Sequence, residues 1–120
     1  MTRLAAALGL ACLVALPAAA QEISSADAAE VRVLDKLNGE VTDVTLTRAT
    51  PLKVGLLLLQ LSDCRYPTSN PAGDAWAGLT VTYQNEPTPA FQGWMIASAP
   101  ALNAMDHPRY DVWVLRCQIS

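Results

Sequence analysis

The feature that most constrains this chain is alternation: from Val31 onward, apolar residues recur at every second position in short runs broken by glycine, proline or an Asn-Gly pair. A period of two places successive side chains on opposite faces of a strand, whereas a helix needs apolar residues three and four apart. Val31 and Val33 flank Arg32, while Val44 and Leu46 alternate with Asp43, Thr45 and Thr47. Asn38-Gly39 between these runs marks a hairpin turn. Ala77, Leu79, Val81 and Tyr83 face one way, and Gly78, Thr80, Thr82 and Gln84 face the other, as in a strand with one wet side. Residues 54–61 are apolar on both parities, which predicts a central strand ending at Cys64. Residues 91–98 predict another strand, with Gly93 and Trp94 inside it and Trp94 in the core. In the final run Trp113, Leu115, Cys117 and Ile119 share one face, so Trp113 and Cys117 are expected in the core. Pro100 opens a short helix bearing Leu102 and Met105, stopped at His107 because Pro108 disfavours the helical conformation before it. Residues 24–30, small and polar, read as a loose or briefly helical lead-in. Six or seven short strands with one short helix before the last predict an all-β fold, a small antiparallel sandwich or barrel.

Residues 1–20 follow a different rule. Met1-Thr2-Arg3 precedes an apolar stretch over residues 4–16, then Pro17 and three alanines before Gln21, the form of a secretory signal peptide cleaved after Ala20. This leaves residues 21–120 as a single β domain with a periplasmic address. A lipoprotein modified at Cys12 is one alternative, although Gly9 stands where leucine is usual; an uncut N-terminal anchor is another. The longest later apolar run, residues 54–59, is too short to cross a bilayer, so no transmembrane segment is expected after cleavage. Eight basic residues against eleven acidic ones give a net charge of −3, leaving no cationic footprint for nucleic acid.

Cleavage removes Cys12 and leaves Cys64 and Cys117 in an oxidising compartment, where an even pair is most simply a disulfide. A redox or metal role for this pair lacks the close spacing and the further ligands such sites use, so neither metal nor cofactor is expected. The single histidine, His107, stands beside Asp106 with Tyr110 and Asp111 close behind. That grouping is readable as a turn ordered by the histidine, or as a general acid/base site. Residues 65–74 form a connection longer than a compact domain needs, tethered at Cys64. Trp76 has the parity of Thr80 and Thr82, so Trp76 and Tyr66 beside this loop are the expected binding surface.

The run from Phe91-Gln92-Gly93-Trp94-Met95 through Ala99-Pro100-Ala101-Leu102-Asn103-Ala104-Met105-Asp106-His107-Pro108 to Tyr110-Asp111-Val112-Trp113 and Cys117 resembles the alphaproteobacterial family catalogued as domain of unknown function 2155. Leu34-Asp35-Lys36-Leu37-Asn38-Gly39 and Cys64-Arg65-Tyr66-Pro67 are similar to the same family's pattern, with Asn38 where threonine is expected and fewer prolines and acidic residues after Cys64. The resemblance implies a secreted, mostly β domain and brings no catalytic residue or ligand. The expected function is that of a non-enzymatic binding or accessory protein of a cell-envelope complex, with a periplasmic or envelope protein as partner. The rival expectation is a small envelope hydrolase using His107 with Asp106 or Asp111.

Overall fold

A computed structural model describes residues 20–119 together with Gly9, so the body of the expected signal peptide and Cys12 lie outside the described residues. The described chain forms eight strands: β1 (Ile23–Ala26), β2 (Ala28–Asp35), β3 (Glu40–Thr47), β4 (Leu52–Val54), β5 (Leu57–Pro67), β6 (Trp76–Tyr83), β7 (Phe91–Ile96) and β8 (Tyr110–Gln118). Every pairing is antiparallel, in two sheets that pack face to face. One sheet runs β1-β5-β6-β7, with β4 beside β5, and the other runs β3-β2-β8. The all-β sandwich expected from alternation is the fold observed.

The alternation works as strand physics requires. Val31 and Val33 of β2, Leu46 of β3, Leu57 and Leu59 of β5, and Leu79 and Val81 of β6 are buried between the sheets. Arg32 of β2 points outward and pairs with Asp43 of β3 at 2.8 Å. The hairpin at Asn38-Gly39 forms with Gly39 at φ +74° and its N–H donating to the Asp35 carbonyl.

Four expectations need correction. Residues 54–61 are not one strand, because Gly55 at φ +57° turns the chain and separates β4 from β5; Gln60 is exposed, so β5 is not covered on both faces. Strand β5 continues past Cys64 to Pro67, which shortens the connection once expected over residues 65–74. The lead-in at residues 24–30 is strand, because its small side chains fit where the sheets come closest and its backbone pairs with β5 on one side of Asp27 and with β3 and β8 on the other. The expected helix is a single 3-10 turn, Pro100–Asn103, that leaves Leu102 exposed and buries only Met105 beyond it.

Cys64 and Cys117 form a disulfide joining the two sheets, with their Cα atoms 5.7 Å apart. Stacked sheets ordinarily lie about 10 Å apart, so a bond this short demands small neighbours. They are present: Ala26 and Ala77 flank Cys64 in register, Ala29 flanks Cys117, and all three are buried. The opposite end is filled by larger side chains, including Tyr110, whose hydroxyl accepts a hydrogen bond from the Leu56 N–H.

Candidate functional site

Each strand that carries a half-cystine has a bulge two residues before it, at Ser62 in β5 and at Leu115 in β8. Pairing of β5 with β6 slips at Ser62, so Leu61 and Cys64 both face the core although they are three residues apart. The slip also turns Asp63 and Arg65 outward, into register with Gly78 and Trp76 of β6. Next door on β7, Phe91 and Met95 are buried, so Gln92, Trp94 and Ile96 stand on the outer side. The outer face of the five-stranded sheet therefore carries two tryptophans and an arginine.

Within this patch the Arg65 guanidinium lies 4.8 Å from the centre of the Trp94 ring, and its Nε donates to Asp63 at 3.0 Å. Gly78, opposite Trp94 in the β6–β7 register, leaves room beneath the indole. A Cβ there would collide with the Ser62 hydroxyl and sit 3.5 Å from the Trp94 ring. Trp94 remains 40% exposed. A large aromatic side chain lying on a glycine of an exposed sheet face, with a guanidinium stacked on it, has the composition of a protein-binding hot spot. Beside it Asp74 receives the Ala75 and Ser98 backbone N–H groups and the Ser98 hydroxyl, pinning the connection between β5 and β6 to the end of β7.

Trp76 lies on this outer face, half-buried, as its parity indicated. Tyr66 does not share it: strand alternation after Arg65 turns Tyr66 to the other side, where it packs against the core. Trp94 is exposed rather than buried. The signal was available, since alternation counted from Phe91 puts Trp94 with Gln92; the bulk of an indole weighed against that parity. Trp113 is half-buried on the outer side of β8, in register with Arg32, because a bulge at Leu115 reverses the facing of β8 before Cys117. Leu115 likewise does not share the inward face of Cys117, and Ile119 lies exposed beyond the end of β8.

The second sequence-predicted cluster sits at the far end. His107 Nδ1 accepts the backbone N–H groups of Arg109 and Tyr110, each at 3.1 Å, so the neutral ring carries its proton on Nε2. Its ring packs against Tyr83 with centroids 4.5 Å apart and planes tilted by 52°, and Tyr110 stands 6.0 Å from both. Among the described residues no hydrogen bond joins the ring to Asp106 or Asp111: Asp106 is exposed, and Asp111 receives the Val112 N–H. The expected helix end is absent, so the histidine orders a turn by accepting from it. The Arg109–Asp35 ion pair, which sequence reading missed, closes this end, with Arg109 donating from Nε and a terminal nitrogen to the carboxylate. Those bonds hold the Asp35 carboxyl below the ordinary carboxylate range; burial opposes the effect and the Leu37 N–H assists it. Lys36 adds a bond from Nζ to the His107 carbonyl and another from its N–H to the Arg109 carbonyl. Residues 34–39 and 106–111, far apart in the chain, thus meet at one end of the sandwich.

Among the described residues no group of three or more histidine, cysteine or acidic side chains is placed to hold a metal ion. No helix of the described residues is long and apolar enough to cross a membrane. These features define a small disulfide-linked antiparallel sandwich with an aromatic outer face at one end and a hydrogen-bonded turn at the other. Residues 29–117 match the model of the family described as "uncharacterized protein conserved in bacteria (DUF2155)", and the chain belongs to that family. It is also similar to an uncharacterized protein of Rickettsia prowazekii (strain Madrid E), with 24% identity over 91 residues, 73% of this chain and 59% of that protein. The chain thus matches rather more than half the length of that relative. No solved structure matches it.

Proposed function

We propose that the chain is a non-enzymatic binding protein of the bacterial envelope, an accessory component that docks on a protein partner through the outer face of its five-stranded sheet. The observation that carries this reading is the stacked pair Arg65–Trp94, with Trp76 beside it, on a face where alternation calls for polar residues. Trp and Arg are enriched in measured hot spots, the indole because it offers a broad apolar surface with few rotatable bonds and the guanidinium because its planar fork stacks on aromatic rings and donates several hydrogen bonds. The aromatic face belongs to a rigid sheet, braced by Gly78 and Asp63, so little ordering entropy opposes docking. Export to the periplasm is supported by the signal-like form of residues 1–20. Against hydrolysis, the Nδ1 lone pair of His107 is engaged with two backbone N–H groups, and neither nearby aspartate is hydrogen-bonded to the ring.

The test compares crosslinked capture from native envelopes by the wild type, Trp94→Ala and Trp76→Ala, with thermal melting of each. A partner whose recovery falls at least about tenfold with Trp94→Ala, at unchanged melting, supports the reading. Recovery unaffected by both substitutions removes it. Loss of a deletion phenotype's rescue in a folded His107→Gln variant, with capture intact, favours the hydrolase.

A further inference from the structure

One edge of the three-stranded sheet is open. Strand β3 pairs with β2 along all eight residues, and among the described residues its other edge meets no strand, apart from a bridge of Thr47 to Thr50 at its end. The other edges are short or interrupted: β1 and β4 have four and three residues. Strand β7 is capped by the 3-10 turn, where Asn103 donates to the Trp94 carbonyl at 2.7 Å, and β8 is broken by its bulge at Leu115. Glu40–Thr47 contains neither proline nor lysine, the residues that usually protect an edge, and is rich in valine and threonine.

Beneath this edge the sheets part. A cavity of about 170 Å³ lies between β3 and β4, lined by Val33, Thr42, Val54, Gly55 and Tyr110 together with the acidic residues Asp35 and Glu40. Arg109 compensates Asp35. Glu40 makes no ion pair among the described residues, so the cleft holds one unpaired acidic residue beside the apolar side chains of Val33, Val54 and Tyr110. A lysine or arginine side chain has the matching form, an aliphatic stem for the walls and a terminal cation for the carboxylate. Glu40 and Thr42 stand at alternate positions of β3 and both face the cleft. A strand added to that edge would alternate in step, sending one side chain inward while its neighbours point away.

We propose that this lateral cleft is a strand-addition site: an extended peptide segment pairs with the open edge of β3 and places a lysine or arginine side chain between β3 and β4. The site is distinct from the tryptophan face and does not depend on it. Main-chain hydrogen bonds supply affinity without regard to sequence, and the acidic cleft selects the basic side chain. A segment with a carboxylate at that position meets Glu40 and is rejected.

The experiment uses the folded exported protein and two synthetic peptides, Ac-Thr-Val-Lys-Val-Thr-NH2 and Ac-Thr-Val-Glu-Val-Thr-NH2, followed by amide chemical shifts and hydrogen exchange up to millimolar concentration. The lysine peptide is expected to shift and protect the β3 amides and to shift Gly55 and Tyr110, while the glutamate peptide binds at least about tenfold more weakly. Glu40→Lys, an exposed change checked for unchanged melting, should reverse the preference. Thr42→Val, which keeps the wall but not the charge pattern's polar neighbour, should retain it. Equal binding of the two peptides, no shift at millimolar peptide, or shifts confined to Trp76 and Trp94 would each overturn the proposal. So would concentration-dependent protection of β3 without peptide, which would assign the edge to a second copy of the chain.

Discussion

At the scale of single residues, two positions show how little latitude the far end has. Gly55 adopts φ +57°, and a Cβ there would lie 2.6 Å from the Tyr110 hydroxyl, so an alanine combines backbone strain with a steric collision. Because the same hydroxyl accepts the Leu56 N–H, moving it also frees a hydrogen bond. Gly55→Ala should cost about 2–4 kcal/mol in urea melts, and Tyr110→Phe, which removes the collision, should recover part of that loss in the double variant. Asp35 supplies a pH dependence of determined sign. Its folded pKa is lowered by Arg109, so its contribution is fully present above the ordinary carboxylate pKa and is lost as pH falls through that value to the lowered one. Stability measured between pH about 5 and 2 should therefore fall less steeply for Asp35→Asn than for the wild type, and identical slopes would remove the ion pair from the account.

At the scale of elements, bulges decide what alternation alone leaves open. The hairpin β2–β3 is legible because it keeps one register from end to end, and the strand β6 because the extra residue at Ser62 lies on its partner, leaving the alternation of Ala77, Leu79 and Val81 unbroken. The inward position of Cys117 follows from the sequence only by coincidence: Tyr110, Val112 and Val114 face the core with even numbering, and the extra residue at Leu115 hands that face to Cys117. Nothing in the composition of Val114-Leu115-Arg116 announces the slip, since a bulge there is set by the partner strand and the disulfide. The Asp35–Arg109 pair is illegible for a related reason, being made by residues that only the sheet order brings together. Deleting Leu115 removes the extra residue yet leaves Arg116 opposite Glu30 and Cys117 opposite Ala29, so the cysteine should keep its inward face on a regular strand. The expected outcome is that Cys64 and Cys117 remain linked and resist alkylation in the variant; free thiols at both positions would show that the bulge itself is needed to bring the two cysteines together.

At the scale of the whole molecule, the two ends of the sandwich are closed by different physics. One end is narrow: alanines at positions 26, 29 and 77 let the Cys64–Cys117 bond draw the sheets together, and β1 runs into β2 through Asp27 beside it. The other end is wide, filled by Tyr110 and held by Asp35–Arg109 and the turn that His107 orders. The narrow end buries little apolar surface, since each alanine contributes far less than a leucine, so the covalent link carries much of its stability. For two cysteines separated by 53 residues the chain-entropy effect is about 4 kcal/mol. Cys64→Ala with Cys117→Ala should therefore lower Tm by more than about 10 °C. The loss should also be uneven: amide exchange should accelerate first in β1, the start of β2 and the end of β8, while the amides beside Tyr110 retain their protection relative to global unfolding. Uniform acceleration would mean that the sandwich opens as one unit and that its narrow end is not separately held by the disulfide.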